Sequence, residues 1–276
     1  MLPNLIVIGA KKAGTTSLYH YLASHPDIWM PQEKELDFFV AGRNWPRGAG
    51  WYRRQFDAAA PVRGEASPNY TALPQHPGVP ERMASVIPDA RLVYLVRDPI
   101  ERLVSHHHMA VATGRERRPL AAATANLSES VYVAQGRYWM QLDPYLRHFA
   151  PEQVLVVDQD ELGRNRAAAL RRVFGFLGVD AEFVSQDFDE VHFPAMARRR
   201  RRPVAKAILA LDQTVGNERS YQARRRVPAR IRTMLTVPLE RPALEPALRA
   251  RLEQLYAPDA ARLREQTGLR FESWSV

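Results

Sequence analysis

A chain of 276 residues with 46% hydrophobic and 25% charged side chains has the make-up of a folded globular protein and excludes a disordered one. No apolar run reaches the ~18 to 20 residues that a bilayer-spanning helix needs, and the first strand signal starts so near Met1 that no room is left for a signal peptide, which gives a cytoplasmic expectation. With no cysteine, disulfides, thiolate metal sites and cysteine nucleophiles are excluded, while a net charge of +9 points to anionic partners: a nucleotide, an acidic glycan, a membrane surface or nucleic acid.

The strongest pattern comes first. Leu5 to Ile8 is a β-branched apolar run that suits a strand buried on both faces of a parallel sheet. Gly9 and Gly14 bracket a turn, and Ser17 to Leu22 then places Leu18, Tyr21 and Leu22 on one helical face, with Thr15 and Thr16 expected as caps. Strand, glycine loop and helix build an anion cradle, because loop N–H groups and the positive end of the helix dipole face the same point. The Gly9 to Gly14 spacing is that of a P-loop, yet Thr15 stands where the P-loop lysine belongs, and the lysines are inside the loop at 11 and 12. An NTPase needs its lysine after the second glycine, so this loop points to a different phosphorylated donor. The plainer alternative is an ordinary strand-to-helix turn with incidental lysines.

Pro31 introduces a segment from Gln32 to Phe39 in which Glu35 precedes Leu36, Phe38 and Phe39. A carboxylate held against apolar side chains has a raised pKa and can act as a general base; the alternative is a solvated loop. Trp45 to Phe56 reads as a short helical or irregular segment. Pro61 to Glu65 reads as a second strand, Ala66 to Tyr70 as a polar loop at its carboxyl end, where open α/β sheets bind ligands, and residues 80 to 87 as a helix. Leu92 to Val96 is a further buried strand, and Asp98-Pro99 opens a helix with aspartate as cap and proline at the first helical position. Arg97 therefore lies at the carboxyl edge, with Ser105 two turns into the helix. Together they make a second anion site, unless Arg97 pairs with Asp98 or Glu101. His106, His107 and His108 cannot converge on one ion, since successive helical side chains diverge by about 100°; at most one is expected to line a pocket.

Beyond residue 113 the pattern weakens. Gly114 to Pro119 reads as a mobile loop, Gly136 opens a helix to about Phe149, and Val154 to Val157 is a third buried strand. Asp158 and Asp160 are read as helix-capping residues and not as Mg²⁺ ligands. Ala167 to Leu177 is an amphipathic helix. From Asp187 the composition changes, with an unbroken arginine run at Arg198 to Arg202 and a second cluster at Arg224 to Arg226, so 187–240 is expected to be less regular and to face the substrate. Two closing helices are expected, Glu245 to Tyr256 and Pro258 to Gln266, with Gly268 as the C-cap. The architecture that follows is a three-layer α/β fold with a mainly parallel central sheet, in one domain over residues 1–276.

In this order and spacing, the loop at Lys12 to Ser17, Glu35 to Phe39, Glu65 to Tyr70, Arg97-Asp98-Pro99 with Ser105, Gly136 to Phe149 and the C-terminal helices ending near Trp274 resemble the sulfotransferases that use 3′-phosphoadenosine 5′-phosphosulfate (PAPS). Within them the likeness is to the branch that includes heparan sulfate sulfotransferases. The resemblance implies that Lys12, Ala13, Gly14, Thr15, Thr16 and Ser17 form the 5′-phosphosulfate loop, Lys12 neutralising the bridging oxygen as the sulfuryl group leaves. It implies that Arg97 and Ser105 clamp the 3′-phosphate, that Arg241 adds a contact where relatives carry a lysine-glycine-arginine loop, and that Glu35 is the catalytic base, with no metal. The acceptor would be a hydroxyl, less readily an amine, of a glycan, glycolipid or small metabolite. Ala66 departs from the heparan enzymes, which carry a lysine there near base and substrate, so acceptor identity does not transfer. Independently of the resemblance, the basic run Arg198 to Arg202 can hold an acidic acceptor such as a glycan, touch a membrane surface or lie over the nucleotide, the alternative being a solvated face. Two alternatives stand beside this reading: a P-loop kinase, disfavoured by Thr15, and a basic nucleic-acid-binding protein, which leaves both anion loops unexplained.

Overall fold

The computed structural model describes residues 1–56, 59–189, 199–201 and 236–276. Its centre is a sheet of five parallel strands: β1 (Leu5–Gly9), β2 (Ile28–Trp29), β3 (Val62–Ala66), β4 (Arg91–Val96) and β5 (Val154–Asp158), in the order β2-β3-β1-β4-β5. The apolar runs become strands because both faces of a parallel sheet are covered, and Leu5, Ile6, Val7 and Ile8 are wholly buried. β1 lies between β3 and β4, with Leu5 opposite Gly64 on one side and Arg91 on the other. From β1 the chain passes to one edge at β2 and returns inward as β3, then crosses to the other side of β1 and continues outward as β4 and β5. That reversal is a topological switch point, and crevices for ligands form at the carboxyl ends of such strands.

Flanking the sheet are α1 (Thr15–Ala23), α2 (Gly48–Arg53), α3 (Val79–Val86), α4 (Pro99–Thr113), α5 (Leu120–Ala123), α6 (Val131–Ala134), α7 (Tyr138–Leu146), α8 (Gln159–Arg164), α9 (Arg166–Leu177) and α10 (Pro246–Thr267). A main core surrounds the sheet, and a second cluster joins Ile100, Leu103 and Val104 of α4 to Tyr132, Val133, Leu252 and Tyr256. The expected three-layer α/β architecture is borne out. No helix among the described residues is long and apolar enough to cross a membrane.

Several local expectations are corrected. The two closing helices are one, α10, which runs through Pro258. Proline removes one backbone hydrogen bond there, but Leu252, Tyr256, Ala260 and Leu263 are buried on either side of it, and tertiary packing outweighs the lost bond. At the carboxyl end of β5, Asp158 caps α8 by accepting from Asp160 N at 3.2 Å, so a cap is found as expected and Asp158 supplies it. Glu116 anchors the Gly114 to Pro119 loop: it is buried and accepts from the backbone N–H groups of Arg117 and Arg118, the Arg118 side chain and the Tyr132 hydroxyl. A small antiparallel pair, β6 (Arg199–Arg201) with β7 (Thr236–Pro238), lies beside α4. Arg198, Arg202, Arg224 to Arg226 and most of 187–240 lie outside the described residues.

Sequence distance is closed at α7 by a carboxylate from α10. Asp259 is buried and its two oxygens accept from Trp139 N and Met140 N, both at 3.0 Å, in the first turn of a helix that has no side-chain cap of its own. Asp259→Ala is expected to lower unfolding free energy by about 1 to 2 kcal/mol, measured by urea denaturation. An unchanged midpoint would show that α7 does not depend on this borrowed cap.

Candidate active site

Three segments meet at the carboxyl edge of the sheet, the loop after β1, the loop after β3 and the β4–α4 junction, and a fourth, the Glu35 to Arg43 stretch that follows β2, packs on the second of them. The first is held from both sides. Ala10 N donates to Leu95 O at 2.5 Å, and the Thr71 hydroxyl, bonded to Ile8 O at 3.0 Å, packs so closely on Gly9 that a Cβ there would come within 1.9 Å of it. Lys12 has φ of 75° and Gly14 φ of 97°. Gly14, and neither threonine, occupies the N-cap position of α1, since that backbone conformation favours glycine; no side chain caps the helix. Thr15, Thr16 and Ser17 form its first turn, with Thr15 buried and Thr16 and Ser17 half-buried. Ala13 is fully buried, while Lys11 and Lys12 are partly exposed.

Lys11 reaches the second segment. Its Nζ donates to Asn69 Oδ1 at 2.7 Å, and Asn69 Nδ2 donates to both oxygens of Asp37 at 3.1 and 2.9 Å. Arg43 pairs with Asp37 from the other side. The backbone bends sharply here, with φ of 64° at Glu35 and 48° at Asp37. Strained non-glycine residues persist where their surroundings over-determine them. Glu35 N donates to Ala66 O at 3.2 Å, and Asp37 N donates to the Ser67 hydroxyl at 3.0 Å. Ser67 in turn donates to Glu65 Oε2 at 2.6 Å, while the hydroxyls of Tyr52 and Tyr70 donate to Glu65 Oε1 at 2.5 and 2.7 Å. Glu65 is thus a buried post from which the Glu35 to Asp37 bend is hung.

The expectation of a raised pKa at Glu35 is overturned. The side chain is about half exposed, and Lys34 lies 3.2 Å from it. Burial pulls the carboxyl upward, but Lys34, with Lys11 and Arg43, outweighs it and holds the pKa below the ordinary value. Burial lowers Lys11 against the opposing pull of Glu35 and Asp37, and raises Asp37 against Arg43. Glu65 behaves most strongly: burial pushes it up to about 7 although three hydroxyls favour its charged form.

At the third segment, Asp98 caps α4 through Glu101 N at 2.7 Å, and its other oxygen accepts from the Ser275 N–H at 2.6 Å and hydroxyl at 2.7 Å. Arg97 Nη2 lies 3.4 Å from Glu101 Oε2, and Arg241 Nη2 donates to the same oxygen. Arg97 and Arg241, 144 residues apart in the chain, are therefore brought together, and the weighed pairing of Arg97 with Glu101 is present. Ser105 is buried one turn beyond Glu101 on α4. The three histidines diverge: His106 Nδ1 faces Arg102 at 3.4 Å, His107 Nε2 meets Arg118 O at 2.9 Å and His108 Nε2 meets Leu239 O at 3.1 Å. His107 and His108 both line a cavity of about 380 Å³, one more than expected, because with Val111, one turn further on, they form a single face of α4, opposite walls that include Arg118, Leu120, Leu239 and Pro242.

A parallel sheet of this order with a strand, glycine loop and helix at its switch point defines the α/β fold class, and comparison with known proteins gives the family. The sulfotransferase domain model matches residues 2–226, and the chain belongs to that family. Among curated relatives, the bifunctional heparan sulfate N-deacetylase/N-sulfotransferase 1 of Caenorhabditis elegans is 29% identical over 175 residues, covering 58% of this chain and 20% of the relative. Heparan sulfate glucosamine 3-O-sulfotransferase 3B1 of Mus musculus is 31% identical over 196 residues, covering 68% of this chain and 49% of the relative. The chain thus spans half or less of these relatives. A sulfotransferase from Alicyclobacillus acidocaldarius, solved by crystallography, superposes with a TM-score of 0.72 over 100% of both chains at 27% identity.

The sequence places Arg97 at the edge and singles out Glu35, but does not show the Lys11–Asn69–Asp37–Arg43 chain or the Glu65 post. The polar loop after Glu65 was the available signal. Because the folded pKa of Glu65 lies above the ordinary 4.5, its contribution to stability is fully present below about pH 4.5 and is lost as pH rises through about 7. The wild-type chain is expected to lose on the order of 3 kcal/mol relative to Glu65→Gln across that window, read from urea midpoints. Parallel profiles for the two proteins would contradict a largely protonated Glu65.

Proposed function

We propose that the chain transfers a sulfuryl group from PAPS to a hydroxyl of an acceptor such as a glycan, glycolipid or small metabolite. The observation that carries this reading is the convergence, at one sheet edge, of a cationic glycine loop, a carboxylate on a strained bend beside it and a separate arginine pair. The residues fit the donor: a helix start without a side-chain cap and two loop lysines suit a phosphosulfate, and Arg97 with Arg241 suits a second phosphate.

In this reading Glu35, held ionised by Lys34 and Lys11, takes the proton from the acceptor hydroxyl. The acceptor oxygen bonds to sulfur as the bond from sulfur to the bridging oxygen breaks in line, and the departing electron pair stays on the 5′-phosphate. Lys12 and the N–H groups of the first turn of α1 neutralise that developing charge, with Ala13, Gly14, Thr15, Thr16 and Ser17 shaping the loop. A lower pKa makes Glu35 a weaker base than a desolvated one, but keeps it deprotonated and ready. Arg97, Ser105 and Arg241 hold the 3′-phosphate away from the reacting atoms. Lys11, tied to Asn69 and close to Glu35 and Asp37, supplies positive charge on the acceptor side, where Ala66 offers none.

Calorimetric titration with 3′-phosphoadenosine 5′-phosphate, ATP·Mg²⁺ and a DNA duplex is expected to give saturable binding of the first alone; tighter ATP·Mg²⁺ binding would favour a kinase, and salt-steep duplex binding a nucleic-acid protein. Lys12→Ala and Glu35→Ala are each expected to lower sulfuryl turnover by about 10²- to 10⁴-fold, with only Lys12→Ala also weakening donor binding. Near-normal turnover in Glu35→Ala would remove it as the base.

A further inference from the structure

The arginine pair has an occupant of its own. Arg97 Nη2 and Arg241 Nη2 both address a single oxygen, Glu101 Oε2. These terminal guanidinium N–H groups are the donors that a phosphate would need. Glu101 also sits in the first turn of α4, whose start already carries the Asp98 carboxylate, so the local field is partly satisfied by two fixed negative charges. A phosphate arriving there meets arginines already engaged and a carboxylate of like charge.

We infer that Glu101 is an internal competitor for the 3′-phosphate, holding Arg97 and Arg241 in place while weakening the grip of both donor and product. The inference rests on the proposed assignment of those arginines to the 3′-phosphate. Exposure sets the size of the effect. Arg97, Glu101 and Arg241 are 23%, 39% and 49% exposed, so the pairs are partly screened and open readily. Glu101 therefore tunes affinity and does not bar the site. PAPS and its product carry the same 3′-phosphate, so the competitor lowers affinity for both alike and limits retention of the spent nucleotide. Glu101 makes no use of its side chain in capping, since its backbone N–H alone meets Asp98; replacing the carboxylate leaves that cap in place.

The test is calorimetric binding of 3′-phosphoadenosine 5′-phosphate and of adenosine 5′-phosphate, which lacks the 3′-phosphate, to the wild type, Glu101→Gln, Glu101→Ala and Arg97→Ala. Arg97→Ala is expected to weaken the first ligand much more than the second; equal losses would overturn the clamp and the inference with it. With that selectivity present, both Glu101 variants are expected to bind 3′-phosphoadenosine 5′-phosphate about 3- to 10-fold more tightly and adenosine 5′-phosphate unchanged. Weaker binding would make Glu101 a support that orients the arginines, and unchanged binding would make the ion pairs incidental; either result overturns the competitor while leaving the clamp intact. Thermal melts of each variant, matching the wild type, guard against a folding defect.

Discussion

Everything at the candidate site depends on the parallel pairing of β1 between β3 and β4. One buried strand without polar side chains delivers the glycine loop to the sheet edge, and its two neighbours deliver the Glu65 to Thr71 loop and Arg97 to the same edge. The pairing also fixes heights. Ala10 N bonds to Leu95 O, Ser67 N bonds to Val7 O, and Thr71 closes over Gly9, so the loops are stitched to adjacent strands and not merely close to them. Rigid placement of this kind is what an in-line transfer requires, because small misplacements of reacting groups are costly in rate.

The edge is organised as two electrostatic compartments. Around Glu35 the charges alternate, Lys34 and Lys11 against Glu35, Arg43 and Lys11 against Asp37, and every one of these groups is fixed by a neighbour. Behind them stands Glu65, which burial drives toward neutrality, so its role is hydrogen bonding through three hydroxyls. Around Arg97 the sign pattern is simpler, with two arginines on one carboxylate. A network whose members are all partnered holds unusual backbone, which accounts for the positive φ at Glu35 and Asp37 beside it.

How much of this was legible follows from range. β1, β4 and β5 announce themselves as apolar runs, since burial on both faces needs no partner information to be read. β2 does not, because two residues form a strand only by virtue of pairing with Val62 and Arg63. The rule that proline breaks a helix fails at Pro258, where packing across α7 decides, and threonine caps fail at α1, where loop geometry demands Gly14. The fold class and the strand, glycine turn and helix at residues 5–23 were readable from local pattern. The environment of Glu35 was not: its charge balance is set by Lys11 and Arg43 across loops, and the apolar neighbours at Leu36, Phe38 and Phe39 turn inward, away from it.

The two bonds from Ser275 to Asp98 join the end of the described chain to the start of α4. Beside them Trp274 stacks on Phe271 at 4.2 Å between ring centroids and touches Tyr138, whose hydroxyl holds the Arg97 carbonyl at 2.7 Å. The terminal segment and Arg97 thus share one mechanical frame. The position of the Trp274 indole and that of the Arg97 backbone are therefore set by the same two residues, Tyr138 and Asp98, although Trp274 lies 177 residues further along the chain than Arg97.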